Sequence, residues 1–436
     1  MKKILILLLV AAMMLGSLAG IFIYAGLSGN RDENLFEDIP EPVIGSNRFL
    51  DLRGADVSMI SFKEEAAIFH TFTFDTSTKW PEDESMPGWD LPGEILEKGK
   101  YLGLGLSTLA QKGITGKGVA VAVIDRPTLS EHQAFGPGFS YIEVASGHSG
   151  TGQPSLNGTA VAGLLAGRDG VAPEATLYYF AVPDGEEPYV QYAEAIHKML
   201  ELQQSLSEQD KIRVAAIAKG VEDAGVSGGA GELFDAIEKA RQQGIVVIYP
   251  GMSALPVTGA GCPPDKDRDD PANYGLWSWS RARGEIAGRL ESRSAASWED
   301  AVYILKELLT CEEALDWLEA ETINTFLYVA YMYKDYVDFE DWLAMTLDES
   351  QRALAVPVDY VTVPDVHGAN EYTYYGSSGL SWATGYIAGL ATLGVQVEPG
   401  VTEQEILELL WDTATPFKGG ARLANPVGFI NRLTSR

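Results

Sequence analysis

Ser381 lies within a run of small and apolar residues, Ser377 to Leu390, and its type and position could do chemistry. Alanines and glycines recur in this run at helix-compatible spacing, which predicts a helix packed tightly on other backbone. A serine hydroxyl at the start of such a helix lies at the positive end of the helix dipole, where a developing oxyanion is stabilised. Taken alone, the stretch favours a simpler interpretation, in which Ser381 is only a helix N-cap.

Asp125 is the second candidate, at the end of the apolar run 119–124. A continuous β-prone run after the turn residues 115–118 predicts a strand buried on both faces, as in a parallel sheet. Ligands and chemistry gather at the carboxyl ends of such strands, so Asp125 is a candidate catalytic carboxylate. It could equally be a turn or cap residue.

The third stretch, N-G-T-A-V-A-G-L-L-A-G, begins at Asn157 and predicts another helix of small residues. The elements that must position these three residues alternate along the chain. Strands are predicted near 175–180, 214–218 and 245–249, with helices near 189–206 and 231–243. Strands that alternate with helices in this way predict a doubly wound α/β fold with a parallel sheet and helices on both faces.

The pattern becomes helical between about residues 277 and 353, where Val302, Leu305 and Leu309 form an apolar stripe. We interpret this part as a helical insertion in the main domain. Amphipathic helices packed on that domain are the simpler interpretation of its dense aromatic residues, and a partner-binding surface is the alternative. The strand pattern then resumes at 354–363.

Lys2 and Lys3 precede an uncharged apolar run from Ile4 to Leu27. A run longer than about 18 residues can span a bilayer, and the lysines would stay cytoplasmic. A cleaved signal peptide, with small residues at 17–19, is the alternative. Both interpretations export the protein. They predict a signal anchor or signal peptide over 1–29, with the rest of the chain extracellular or held at the membrane with its domain outside the cell.

An N-terminal extension is predicted over 30–99, ahead of a main domain over 100–436. It starts with a polar, proline-bearing linker, and the apolar alternation at 67–74 predicts a strand. A pro-segment is the alternative function for this extension.

The charge of the chain excludes one class of partner. There are 61 acidic and 32 basic residues, for a net charge of -29. No basic surface is available to neutralise phosphates, which argues against nucleic acid. Cys262 and Cys311 could form a disulfide or be two free buried thiols. No cluster of Cys, His and carboxylate has zinc-ligand spacing, so neither a metal nor a cofactor is predicted.

Together, the three stretches resemble the motifs of the subtilisin-like serine peptidases. That family has an aspartate after a strand, then H-G-T-x-V-A-G, then G-T-S-M-A-x-P. This chain has Asp125 after V-A-V-I, then N-G-T-A-V-A-G from Asn157, then G-L-S-W-A-T-G around Ser381. The resemblance covers residues 100–265 and 350–432. It implies a subtilisin-like fold, in which Asp125 orients the general base and Ser381 is the nucleophile.

Two departures from the family bear on activity. Asn157 aligns with the general-base histidine, and a carboxamide cannot take the serine proton near neutral pH. Met252, in Y-P-G-M, stands where the family has the asparagine of the oxyanion hole, and a thioether donates no hydrogen bond. Loss of that donor typically costs about 100- to 1000-fold in turnover. Leu380 and Gly385 stand where the family usually has threonine and proline, and these two differences are milder than those at Asn157 and Met252.

We therefore expect a pseudopeptidase that binds peptide or protein segments and hydrolyses them negligibly. An active, divergent serine endopeptidase is the alternative, with Asp125, Ser381 and another base such as His148. A third hypothesis is an interaction module whose contact surface lies near Phe326 to Trp342. His132 is assigned no chemistry, and His367 is a weaker candidate base than His148.

Overall fold

The structure is a computed structural model that describes residues 51–62, 69–70, 72–82, 85–86, 88, 91–144, 153–183, 188–220, 230–252, 254–276, 286–310, 338–341, 343–344, 353–376, 378–417 and 420–435. These residues fall into two compact units. The larger is Arg48–Gly284 with Met345–Arg436, and the described part of the smaller lies in Glu285–Ala344. The predicted signal anchor or signal peptide and the predicted linker lie outside the described residues. None of the helices in the described ranges is both long and apolar enough to cross a membrane.

The elements alternate along the chain as the sequence pattern predicts. The strands are β1 (Phe74–Asp75), β2 (Ala120–Asp125), β3 (Phe139–Glu143), β4 (Thr176–Ala181), β5 (Ile212–Ile217), β6 (Val246–Ile248), β7 (Val257–Gly261), β8 (Gly275–Leu276), β9 (Leu354–Asp359), β10 (Val361–Pro364), β11 (Tyr372–Tyr375), β12 (Thr415–Pro416) and β13 (Arg422–Leu423). The helices are α1 (Leu91–Gly99), α2 (Leu106–Gln111), α3 (Leu156–Ala166), α4 (Pro188–Ser205), α5 (Ala230–Gln242), α6 (Trp298–Thr310), α7 (Ser381–Val397), α8 (Glu403–Thr413) and α9 (Pro426–Thr434).

A parallel sheet of five strands, in the order β3-β4-β2-β5-β6, is the centre of the larger unit. Successive side chains of a strand point to opposite faces. Val121 and Val123 of β2 therefore join a core with α3 and α7, while Ala122 and Ile124 join a second core with α4 and α5. Helices on both faces of a parallel sheet confirm the predicted doubly wound α/β class.

The run 354–363, which the sequence gives as one stretch of strand pattern, is divided into β9 and β10. The division falls at Tyr360, whose φ of 58° turns the chain out of the β region. β9 joins a second sheet, in the order β12-β13-β9-β7-β8, whereas β10 joins a three-stranded antiparallel sheet, β1-β11-β10. The hairpin β10–β11 leads directly to α7, so it supports the start of that helix.

Helices α3 and α7 approach one another closely because glycines replace side chains at their contact. A Cβ atom on Gly385 of α7 would lie 2.6 Å from the carbonyl oxygen of Val161 in α3. One on Gly389 would lie 2.5 Å from Cβ of Val171, which follows the end of α3. The small residues of these two helices therefore allow the backbone of α7 to lie against the backbone of α3. This contact brings the first turns of the two helices together.

The described part of the N-terminal extension packs in the larger unit. β1 pairs antiparallel with β11, and Phe74, Trp80 and Tyr374 lie in one aromatic cluster. The predicted strand at 67–74 is largely wrong, because Phe69 and His70 form a short helical turn and only Phe74 is in a strand. The described apolar residues of this run, Phe69, Phe72 and Phe74, lie in the aromatic cluster, so the alternation indicates burial more than strand structure. Residues 63–68 and 71 lie outside the described ranges.

In the smaller unit, α6 buries Val302 and Leu305 along one side, as the predicted stripe requires. Its start is capped, since the Ser297 hydroxyl accepts a hydrogen bond from the Asp300 amide at 3.1 Å. The aromatic stretch that the sequence offers as a contact surface, 326–342, lies almost wholly outside the described residues.

Candidate active site

Three elements bring the three candidate residues to one place. Asp125 is the last residue of β2, Asn157 is the second residue of α3, and Ser381 is the first residue of α7. The sheet fixes the first residue, and the close contact of α3 with α7 fixes the other two. Residues about 30 and 220 positions apart in sequence are thereby placed within hydrogen-bonding distance.

The three side chains form a continuous chain of hydrogen bonds. Asn157 Nδ2 donates to Asp125 Oδ2 at 2.9 Å, and the Ser381 hydroxyl donates to Asn157 Oδ1 at 2.7 Å. The indole Nε1 of Trp382 donates to the same Oδ1 at 3.1 Å. The amide therefore links the carboxylate of Asp125 and the hydroxyl of Ser381.

The orientation of the Asn157 amide follows from its neighbours. An indole N–H is only ever a donor, so the amide atom that faces Trp382 must be the oxygen. Asp125 offers only acceptors when it is ionised, so the atom that faces it must be the nitrogen. Both neighbours require the same orientation, which leaves Oδ1 as the acceptor for Ser381.

Asp125 is held in place by more than Asn157. Its Oδ1 accepts hydrogen bonds from the Arg126 amide and from the Tyr192 hydroxyl, each at 2.8 Å. The residue is only 1 % exposed. Burial raises the pKa of its carboxyl group to about 6, although these hydrogen bonds favour the charged form. Asp125 is therefore a rigid acceptor that orients Asn157.

The glycine after Asn157 is needed for this approach. A Cβ atom on Gly158 would lie 2.1 Å from the Tyr179 hydroxyl oxygen and 2.6 Å from the Arg126 carbonyl oxygen. That hydroxyl donates to the same carbonyl. The start of α3 is thus pressed against the ends of β2 and β4, with no space for a larger side chain.

The arrangement can position Ser381 but cannot deprotonate it. A carboxamide oxygen does not titrate near neutral pH, so it accepts a hydrogen bond without taking the proton. Oδ1 has two lone pairs, and the structure gives one to Ser381 and the other to Trp382. An imidazole nitrogen has one lone pair, so a histidine at this position could accept from only one of the two donors.

None of the described histidines takes the place of Asn157. In the described part of the chain, the Ser381 hydroxyl bonds to Asn157. The ring of His132 is fixed between the Glu371 carbonyl oxygen and the Ala134 amide, which fits its predicted lack of chemistry. The ring of His367 contacts Asp365 at 2.6 Å. His148 lies outside the described residues, so its candidacy stays a prediction.

The side chain of Met252 is buried in the core shared by α3 and α7. It therefore supplies no polar group to the site, since a thioether donates no hydrogen bond.

Sequence reasoning missed two residues of the site, Trp382 and Tyr192. Trp382 follows Ser381 directly, where the family motif has methionine, so its indole donor is a signal that the sequence offers. It packs edge-on against Tyr375 of β11, with ring centroids 4.9 Å apart. Tyr192 is in the middle of α4, and no local pattern distinguishes it from a core aromatic residue.

Comparison with known proteins gives likenesses of structure. No family model and no curated protein matches the sequence. Similar solved structures include the prenylagaramide maturation protease PagA, with 17% identity, a TM-score of 0.44, and coverage of 76% of this chain and 99% of that chain. MycP1 with its N-terminal propeptide removed is 16% identical, with a TM-score of 0.42 and coverage of 75% and 94%.

A cold-adapted subtilisin-like serine proteinase is 18% identical, with a TM-score of 0.38 and coverage of 70% of this chain and 85% of that chain. These identities and TM-scores are too low to assign a role to any residue of this chain. The candidate active site rests on its own geometry and on the three motifs that place Asp125, Asn157 and Ser381 together.

Proposed function

We propose that this chain is an exported subtilisin-like peptidase homologue that binds peptide segments and hydrolyses them negligibly. One observation carries the proposal: Asn157 makes both hydrogen bonds expected of a general-base histidine, to Asp125 and to Ser381, through a group that does not titrate. The geometry of a catalytic triad is present without its proton acceptor.

The expected loss of activity is large. Acyl transfer requires a group that takes the serine proton and returns it to the leaving amine. When a member of the triad is removed, only about 10³- to 10⁴-fold of catalysis over water remains. The loss of an oxyanion-hole donor, at the position of Met252, reduces turnover further.

Access to the site supports binding. Ser381 and Asn157 are both partly exposed, whereas Asp125 beneath them is buried. The site lies at the carboxyl ends of β2 and β5, where open α/β sheets bind their ligands. A peptide or protein segment is the partner class that the resemblance implies, and the net charge of -29 argues against nucleic acid.

The proposal is tested by labelling Ser381 with a fluorophosphonate probe that reacts with activated serines. We expect the wild type to label no faster than Ser381→Ala. Asn157→His alone should recover little, because the Trp382 N–H competes for the single lone pair of the imidazole. Asn157→His combined with Trp382→Phe removes that competition, and should label faster than the wild type by about a hundredfold or more.

Trp382→Phe alone is the matched control, since it removes the indole donor without adding a base, and it should stay unlabelled. Rapid labelling of the wild type that is abolished in Ser381→Ala would overturn the proposal. The active endopeptidase would then be the better hypothesis, and His148→Ala should end the cleavage of an unfolded protein such as casein.

Export is part of the proposal and rests on residues 1–29. Their lysine pair and long apolar run fit a signal anchor or a signal peptide. An uncleaved segment would hold the protein at the membrane, and a cleaved one would release it. N-terminal sequencing of the mature protein distinguishes the two.

A further inference from the structure

A second cluster of chemically active side chains lies on the three-stranded sheet. One carboxylate oxygen of Asp75, one of Asp365 and one ring nitrogen of His367 lie within 4.8 Å of one another. The strand register explains the cluster, since Asp75 of β1 is opposite Thr373 of β11 and Asp365 directly follows β10. The N-terminal extension and the hairpin β10–β11 thus supply the cluster together.

Asp75 is a buried carboxylate whose hydrogen bonds, in the described part of the chain, all go to one of its two oxygens. It is 5 % exposed. Its Oδ1 accepts four hydrogen bonds, from the Gly54 amide, from the amide and hydroxyl of Ser77, and from the Thr78 hydroxyl. Within the described residues, Oδ2 accepts no hydrogen bond and Asp75 forms no ion pair. A buried carboxylate usually is paired or coordinates a metal, and the described residues supply no cationic side chain that pairs with Asp75.

Asp365 is 0 % exposed and lies beside an exposed imidazole. Its Oδ1 contacts His367 Nδ1 at 2.6 Å, and its Oδ2 accepts from the Thr373 hydroxyl. The guanidinium group of nearby Arg53 donates its hydrogen bonds to Asp51 and to the Tyr375 hydroxyl, and it interacts with Asp365 through charge without a hydrogen bond. The imidazole side chain of His367 is 68 % exposed, which leaves the cluster open to ions from solvent.

We propose that Asp75, Asp365 and His367 bind a divalent transition-metal ion of the zinc type. Two carboxylates and one imidazole are ligands that Zn²⁺ accepts, and solvent can complete its coordination. Ca²⁺ fits less well, because it takes six to eight oxygen ligands and rarely uses an imidazole. The site goes beyond the proposed function, because it requires neither catalysis nor peptide binding at Ser381.

Such an ion would hold the N-terminal extension on the hairpin that precedes α7. The existing contacts between them are the short β1–β11 pairing and the aromatic cluster around Phe74. An ion that binds the folded protein and not the unfolded chain stabilises the fold in proportion to the logarithm of its free concentration. We therefore expect added zinc to raise the melting temperature.

The test is a titration of the full chain with ZnCl2 by isothermal calorimetry, after purification without a polyhistidine tag and without chelator. We expect one ion to bind per chain. His367→Ala should weaken binding by about tenfold or more. Because this side chain is exposed, the variant should fold normally. Asp75→Asn should weaken binding similarly, since an asparagine keeps the Oδ1 acceptor and loses the Oδ2 ligand.

His197→Ala is the matched control, because it removes another exposed imidazole, on α4, far along the chain from the cluster. It should bind zinc as the wild type does, and zinc should raise its melting temperature equally. Two results overturn the proposal: no stoichiometric zinc binding by the wild type, or unchanged affinity in His367→Ala. Neither result bears on the labelling of Ser381, so failure here is distinct from failure of the proposed function.

Discussion

Asn157 has the two hydrogen-bonding functions of a neutral imidazole, one donor and one acceptor, on a group that does not titrate. Its surroundings fit the amide better than they fit a histidine. Two donors, Ser381 and Trp382, share its oxygen, and the acceptor Asp125 takes its nitrogen. At the scale of single residues, the site is thus a satisfied hydrogen-bond network in which tryptophan and asparagine complement one another.

Asp125 should make the stability of the protein depend on pH in a distinctive direction. Its folded-state pKa is raised to about 6 from the ordinary value of 3.8, because of its burial. Between these values the folded state holds a proton that the unfolded state has lost, so the contribution of Asp125 to stability falls as pH rises. The difference between the two pKa values corresponds to about 3 kcal/mol.

Asp125→Asn lacks this titration, so its free energy of unfolding relative to the wild type should rise by up to about 3 kcal/mol between pH 4 and 7. Urea unfolding across this range measures the difference. Tyr192→Phe removes a hydrogen bond to the charged carboxylate, and should move the upper end of the wild-type transition to higher pH. Parallel curves for Asp125→Asn and the wild type would contradict the prediction.

At the scale of elements, the packing of α3 on α7 depends on the absence of side chains. Gly385→Ala places a Cβ atom 2.6 Å from the Val161 carbonyl oxygen, and backbone there cannot move without separating the helices. We expect a loss of about 1–3 kcal/mol in the free energy of unfolding. The side chains of Ser381 and Asn157 should also move apart. Added to the double variant Asn157→His with Trp382→Phe, Gly385→Ala should therefore slow fluorophosphonate labelling.

Gly231→Ala is the matched control for this prediction. Gly231 is also helical, near the start of α5, but its Cβ would meet nothing within 4 Å. The substitution should be neutral or slightly stabilising, because alanine has the higher helix propensity. If Gly385→Ala were equally harmless, the close approach of the two helices would not be what positions the site.

The sequence predicts the central elements well because their signals are local. A few neighbouring residues are enough to predict each of these elements. This holds for the apolar run that ends at Asp125, for the small-residue helices of Asn157 and Ser381, and for the alternation between 175 and 249. What it does not show depends on long-range pairing. Nothing near Asp75 indicates that it lies close to Asp365, about 290 residues later in the chain. The lack of a zinc-ligand spacing in the sequence is therefore weak evidence against metal binding.

The same limit explains the extension. Its alternating aromatic residues predict a strand, but Phe69 and Phe72 pack on one another and on Phe62. Phe74 in addition contacts Tyr374 on the hairpin β10–β11, which no local pattern reveals. Tyr192, which holds Asp125, is likewise indistinguishable from a core tyrosine until α4 is packed on the sheet. The site residues within sequence motifs, Asp125, Asn157 and Ser381, could be predicted. Residues that support them from other elements, such as Tyr192, could not.

For the larger unit as a whole, we expect the described extension to be part of the fold and not a removable pro-segment. Phe74 is fully buried, in edge or tilted contact with Trp80 and Tyr374. Phe74→Ala should therefore lower the free energy of unfolding by about 3–5 kcal/mol, the range for truncating a buried phenylalanine. Denaturant unfolding of the full chain, followed by tryptophan fluorescence, measures this loss.

Met59→Ala is the corresponding control within the extension, since Met59 is 96 % exposed and should change stability by less than about 0.5 kcal/mol. Because Tyr375 links the hairpin to Trp382, Phe74→Ala should also loosen the site, and hydrogen exchange at the start of α7 should become faster. A dispensable pro-segment makes the opposite prediction. Phe74→Ala would then unfold at the denaturant concentration of the wild type, and α7 would exchange unchanged.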